Sequence, residues 1–230
     1  MTITTPHQEF IDVIRTRRSP RAFLAEPMPV EAIRGTLEDA QTAPSHSNTQ
    51  PWVVHIVSGA TRDRLSSQLL VALDSGRFSP DFNSDYGNGV HLARSQQHGA
   101  TLYGALGIAR NDHRRRDEVM RDNLRFYGAP HVALLFMPQL GDGIGVAGDI
   151  GMYAQNFLLS LTARGYHGIP QAVHGMFAGT VREVLGVPAD LKLCFGISFG
   201  TADPESPASG IDVGRVPLQE SVILHDTSVW

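Results

Sequence analysis

At 230 residues the chain is long enough for one well-cored domain and short for two. Its 42% apolar and 18% charged residues match a folded globular protein and exclude disorder over the whole length. A net charge of −4 leaves no general basic field for nucleic acid or an anionic membrane, and the one cysteine, Cys194, excludes an internal disulfide or a Cys-x-x-Cys redox pair.

From the N-terminus, MTITTPHQEFIDVIRTRR lacks the long apolar stretch of a secretory leader, and the most apolar run, VALLFM, is too short to span a bilayer. A soluble protein of the reducing cytoplasm is expected, with Cys194 a buried, inert thiol in the run LKLCFGISFG. FIDVIRTRR predicts a short helix that stops before Pro20, because the residue preceding proline is pushed out of the helical region. Ile33, Leu37 and Ala40 recur at helical spacing and predict a second helix. WVVHIVS is short and β-branched and predicts a buried strand; Leu65, Leu69 and Leu73 mark a third helix after Thr61. From Gly76 to Gly89 the pattern dissolves into GRFSPDFNSDYGNG, a long loop.

Helical periodicity returns from His91 to Ala109 and again through Met120, Leu124 and Tyr127. HVALLFM predicts a strand, VAGDIGMYAQNFLLSLTARG a long helix closed by Gly165, and LKLCFGISFG a central strand. With no repeat, low-complexity tract or linker, the expectation is a single α+β domain over residues 1–230.

Three stretches could carry chemistry. In RTRRSPRAF, four arginines (Arg15, Arg17, Arg18, Arg21) crowd a serine. They could simply form a solvated helix end, where cations offset the macrodipole. Alternatively, once Pro20 extends the chain, Arg17, Ser19 and Arg21 share one side and offer the charge-assisted donors a phosphate needs. In APSHSNTQPW, Pro44 and Pro51 stiffen both ends, while Ser45, Ser47, Asn48 and Gln50 present hydroxyls and carboxamides. These suit the hydrogen-bonding edge of a planar heterocycle, or an ordinary polar turn. Trp52 reads as a core aromatic.

The third stretch, GIGVAG at 143–148, matches G-x-G-x-x-G. PQLGD separates it from the strand, and no acidic residue follows Asp149 until Glu183, so it reads as a loop entering a helix. No H-x-H, H-E-x-x-H or G-x-S-x-G pattern occurs, so no metal is expected, and His167 and His174 read as ordinary polar histidines.

RRSPRAF followed by APSHSNTQPW resembles the paired N-terminal signature of the FMN-dependent nitroreductase family. NLRFYGAPHVALLF, DIGMYAQNFLLSLTARGYHGIP, ISFGTADP and GRVPL extend the likeness over nearly the whole chain. The resemblance implies a nitroreductase-like fold: a central, mostly antiparallel sheet flanked by helices, in an intertwined homodimer with the C-terminal extension on the partner. It implies FMN at the interface, bound by residues of both subunits. Ser45, Ser47, Asn48 and Gln50 would hold the ribityl chain and ring edge; Arg17, Arg18, Ser19 and Arg21 the phosphate and pyrimidine side. Pro170, Gln171 and Ala172 would bring a backbone N–H to flavin N5, and Gly200 and Arg215 would complete the phosphate pocket. Many relatives carry a glycine and an acidic residue where this chain has Gln171, Ala172 and Val173, and two basic residues where it has only Arg215.

The activity so implied is ping-pong transfer of reducing equivalents from NAD(P)H, through flavin N5, to a nitroaromatic or quinone acceptor, with no catalytic acid or base among the side chains. Phe78, Phe82, Tyr86 and Tyr127 could roof the substrate or pack within their own segments. The alternatives are other flavin chemistry on the same scaffold, such as reductive dehalogenation or flavin fragmentation, and a flavin-binding protein without turnover.

Overall fold

The computed structural model describes residues 6–83 and 85–225, without the side chains of Pro6 and His7. Seven α-helices and four strands occur among them. α1 (Pro6–Thr16) and α2 (Val30–Ala40) precede strand β1 (Val53–Ser58). α3 (Gly59–Asp74), α4 (Val90–Ala105) and α5 (His113–Leu124) lead to β2 (His131–Pro138). Then come α6 (Ile144–Ala163), β3 (His167–Gln171), α7 (Ala178–Leu185) and β4 (Leu191–Gly200). The sheet order is β1-β2-β4-β3, and every neighbouring pair is antiparallel.

β2 explains the layering. In a strand, alternate side chains point to opposite faces. Val132, Leu134 and Phe136 join the cluster under α3, α5 and α7, while Ala133, Leu135 and Met137 join the cluster under α2 and α6. Both faces of the central strands are covered, so β2 reads as one unbroken apolar run, as buried strands do. β1 departs from its expectation: it lies at the sheet edge, and most of its residues are only half-buried.

GIGVAG opens α6 after the 139–143 loop, with Gly143 left-handed at φ 79°. An antiparallel sheet offers no βαβ unit for a dinucleotide fingerprint. The 76–89 loop is anchored in its first half. Ser79 N–H donates to Met176 O at 2.9 Å, and the buried Asp81 carboxylate accepts from Arg182 at 2.5 Å and from Leu193 N–H at 2.9 Å. Among the described residues, no helix is long and apolar enough to cross a membrane.

Candidate functional site

α1 ends at Thr16, and the extended chain beyond it runs beside the segment that follows β4. Phe23 bridges to Ala202, Leu24 N–H donates to Thr201 O at 2.9 Å, and Arg21 N–H donates to Ala208 O at 3.1 Å. This pairing brings the C-terminal segment back over the N-terminal arginines. Between them lies a cleft of about 570 Å³, lined by Arg17, Arg18, Ser19, Arg21, His98 and Arg215 together with residues 211–214.

The arginines have different jobs. Arg18 folds back to donate to Arg15 O at 2.7 Å and Arg17 O at 3.1 Å, where it caps the last carbonyls of α1. Arg17 donates to Ser19 Oγ at 3.2 Å, and Arg21 meets His98 Nε2 at 3.2 Å. Burial first, then Arg215 and Arg18, lower the pKa of the Arg17 guanidinium. Burial, then Arg21, likewise lowers that of His98. Arg17, Arg18, Arg21 and Arg215 form no ion pair with another described residue. Asp212 lines the same cleft, but its carboxylate accepts from Gly214 N–H at 2.8 Å in a turn. Converging cations without carboxylate partners raise their own free energy, and a bound anion relieves it.

The second predicted segment is a tight turn with three residues in the left-handed region: Ser47 (φ 49°), Asn48 (φ 56°) and Gln50 (φ 48°). Such conformations are costly for non-glycine residues and persist only when their surroundings fix them. Here the Ser45 hydroxyl accepts from Gln50 N–H at 2.9 Å, and both Asp149 carboxylate oxygens accept from His46 N–H, at 3.1 and 3.2 Å. Below the turn Trp52 is core, with its indole N–H on Gln41 Oε1 and its ring 5.1 Å from Tyr153. The Ser47, Asn48 and Gln50 side chains are exposed, and Gln50 lines a different cleft, of about 310 Å³, beside Trp52 and Tyr153. Within one chain, therefore, the predicted arginines line one cleft and Gln50 lines another.

Pro170 and Gln171 end β3, and Ala172 follows it. The Gln171 side chain is buried: its amide donates to Asn123 O (2.9 Å) and Asn123 Oδ1 (2.6 Å) and accepts from the Ser198 hydroxyl. What this segment offers a ligand is backbone and the exposed Ala172, which lines an apolar cleft of about 280 Å³ with Phe78, Phe82, Met176 and Cys194. Gly200 lies outside the arginine cleft's lining: it closes β4, where a Cβ would meet Pro130 Cδ at 2.7 Å. Tyr86 is exposed, and Tyr127 is core. Burial pushes the half-buried Cys194 thiol up to about 11, so it is protonated. Among the described residues, no group of three or more His, Cys, Asp or Glu side chains is placed to hold a metal ion.

His174 corrects the reading of ordinary polar histidines. It is fully buried against Phe126, neither ring nitrogen makes a hydrogen bond of good geometry, and burial pushes its pKa down to about 4. Sequence reasoning also missed His98 and Asp149. A histidine on the polar helix α4 carries no pattern, whereas an aspartate on the apolar face of α6 is a readable signal, since a buried carboxylate needs donors.

The model of the Nitroreductase family matches residues 14–201. The nitroreductase NfnB of Mycolicibacterium smegmatis is 44% identical over 211 residues, covering 91% of this chain and 89% of that protein. A 4-nitrobenzoate reductase of a Nocardioides species is 32% identical over 97% of this chain and 91% of its own. The crystal structure of the FMN-dependent NfnB from Mycobacterium smegmatis in complex with NADPH superposes with a TM-score of 0.92 at 42% identity, over 96% of this chain and all of that one.

Proposed function

The chain belongs to the nitroreductase family, and from that premise we propose that it is an FMN-dependent NAD(P)H oxidoreductase that reduces nitroaromatic and quinone-type acceptors by a ping-pong route. One observation supports this most: Arg17, Arg21 and Arg215 converge with Ser19 in a cleft without forming an ion pair to any described carboxylate. A phosphomonoester fits that donor set, because it accepts several charge-assisted hydrogen bonds at once.

FMN, when bound, supplies the two-electron chemistry that links donor and acceptor in separate half-reactions. The rest is the work of the chain. Arg17, Arg18, Ser19, Arg21 and Arg215 would bind the phosphate and pyrimidine side, and Gly200 would shape the approach by leaving no side chain beside Pro130. The turn carrying Ser45, Ser47, Asn48 and Gln50 would bind the ribityl chain and ring edge, held by Asp149. Pro170, Gln171 and Ala172 would present a backbone N–H to N5, fixed from beneath by the hydrogen bonds of Gln171 to Asn123 and Ser198. Guanidinium groups in a partly buried cleft also favour negative charge that builds up beside them.

The arginine cleft and the 45–50 turn would meet in a homodimer, each site assembled from two chains. The apolar residues exposed along α1 and the C-terminal segment, among them Phe10, Ile14 and Ile223, fit such an assembly. The part of this reading that concerns the end of the tail, DTSVW, lies outside the described residues.

The deciding experiment is an absorption spectrum of purified protein, followed by anaerobic NADPH and NADH. Flavin bands that bleach with either donor are expected; protein that carries no flavin and takes up none on reconstitution would overturn the proposal.

A further inference from the structure

α4 borders two clefts. His98 lines the arginine cleft, while Ser95, Gln96, Gln97 and Tyr103 of the same helix line another cleft of about 740 Å³, closed by Arg110 and Arg116. That volume suits a ligand of nucleotide size. No acidic side chain lines it, in a chain whose net charge is −4.

Three consecutive arginines open α5, and the structure separates two of them by role. Arg115 donates to Gly107 O at 2.8 Å and Leu106 O at 3.0 Å, so it closes the C-terminus of α4. Arg116 instead lies over the Tyr103 ring, its guanidinium carbon 4.1 Å from the centroid. This stack fixes the plane of the guanidinium without using a carboxylate. Neither Arg110 nor Arg116 is ion-paired to another described residue.

We propose that this cleft receives the 2′-phosphate and adenosine end of NADPH. Two guanidinium groups without carboxylate partners match a phosphomonoester, which is close to a dianion at neutral pH. The Gln96 and Gln97 carboxamides each carry a donor and an acceptor, as the edge of a purine requires. The two clefts border the same helix, α4, which carries His98 into the arginine cleft and Gln96, Gln97 and Tyr103 into this one. NADH has no 2′-phosphate and leaves both guanidiniums unmatched, so the cleft selects NADPH. The inference rests on NAD(P)H being the electron donor.

The test is calorimetric titration of FMN-loaded protein with 2′,5′-ADP and with 5′-AMP. Wild type binds 2′,5′-ADP tighter by about tenfold or more, the discrimination that one or two charge-assisted contacts provide. Arg110→Gln and Arg116→Gln each cut that preference to about threefold or less, and raise the ratio of the NADPH KM to the NADH KM about tenfold. Arg116→Lys restores only part of it, because an ammonium lacks the planar stack. Arg110 is exposed, so its variant reports even if Arg116→Gln loses the packing of α5 on α4. Equal binding of both nucleotides by wild type, or a preference that survives both substitutions, overturns the assignment while flavin bleaching by NADPH leaves the donor reading standing. If neither donor bleaches the flavin, the functional reading fails, and the calorimetric preference still decides the cleft.

Discussion

Arg17 shows what the arginine cleft asks of a single side chain. Burial and the neighbouring Arg215 and Arg18 all oppose its charge, so in the flavin-free protein it is a liability. Arg17→Ala is therefore expected to raise the FMN dissociation constant by about tenfold or more, while the melting temperature of the flavin-free protein stays level or rises. A fluorescence titration with FMN and a thermal melt without it separate the two; a fall in both would make Arg17 a structural residue. Local spacing made this cleft partly legible, since Arg17, Ser19 and Arg21 alternate along an extended segment. His98 reaches it from α4 with no sequence pattern to announce it.

His174 makes the residue-scale case for pH. Its folded pKa of about 4 lies below the ordinary value of 6.5, so between those limits the unfolded chain binds more protons than the folded one. Stability then rises with pH across that window and falls as pH drops from 6.5 towards 4, by up to about 3 kcal/mol. His131 and His167 are shifted down by burial as well and steepen the same trend. Urea unfolding at a series of pH values should show this slope, and His174→Leu should flatten it; an unchanged slope in that variant would exonerate His174. Gly196 supplies the room, since a Cβ there would run into His174 Nδ1. Gly196→Ala is expected to cost about 1–3 kcal/mol by overpacking.

Among the elements, β2, α6 and β4 were readable from the sequence, because continuous apolar runs and long periodic faces report burial on two sides. β3 was not. HGIPQ contains a glycine and a proline, which argue against a strand, yet both are accounted for here. β3 is an edge strand, where a missing N–H is tolerated, and at Gly168 a Cβ would meet Leu158 Cδ2 at 2.8 Å and Leu161 Cδ1 at 3.0 Å on α6. α7 escaped because eight residues barely complete two helical turns. The 76–89 segment reads as loop and is one, but Asp81 ties it to α7 and β4 through a buried ion pair with Arg182, with Lys192 at 3.8 Å. Asp81→Ala strands two cations and the Leu193 N–H, so about 3–5 kcal/mol of stability should disappear in denaturant unfolding. A loss below about 1 kcal/mol would mean that the loop is held by Phe78 on Phe177 instead.

At the scale of the molecule, the FMN-binding groups implied by family resemblance divide between two clefts of one chain, the arginines in one and Gln50 in the other. Composition and periodicity could not reveal this, because they describe a chain and not its neighbours. If two chains assemble each site, damage on either side can be complemented by the other. One parent carries Arg17→Ala with Arg21→Ala, the second Asn48→Ala with Gln50→Ala, and each alone should bind FMN poorly. Unfolded together and refolded as a mixture, about half of the dimers are expected to be mixed, and each of these holds one site with both lesions and one with neither. Tight FMN binding should therefore return in the mixture to about a quarter of wild-type occupancy, where neither parent shows any. Recovery of that fraction, with sedimentation at dimer mass, supports a site shared across the interface. A mixture that binds no more FMN than its parents, although mixed dimers form, would place all these residues around a flavin held by one chain, and the separation of the two clefts would then need a conformational change to close it.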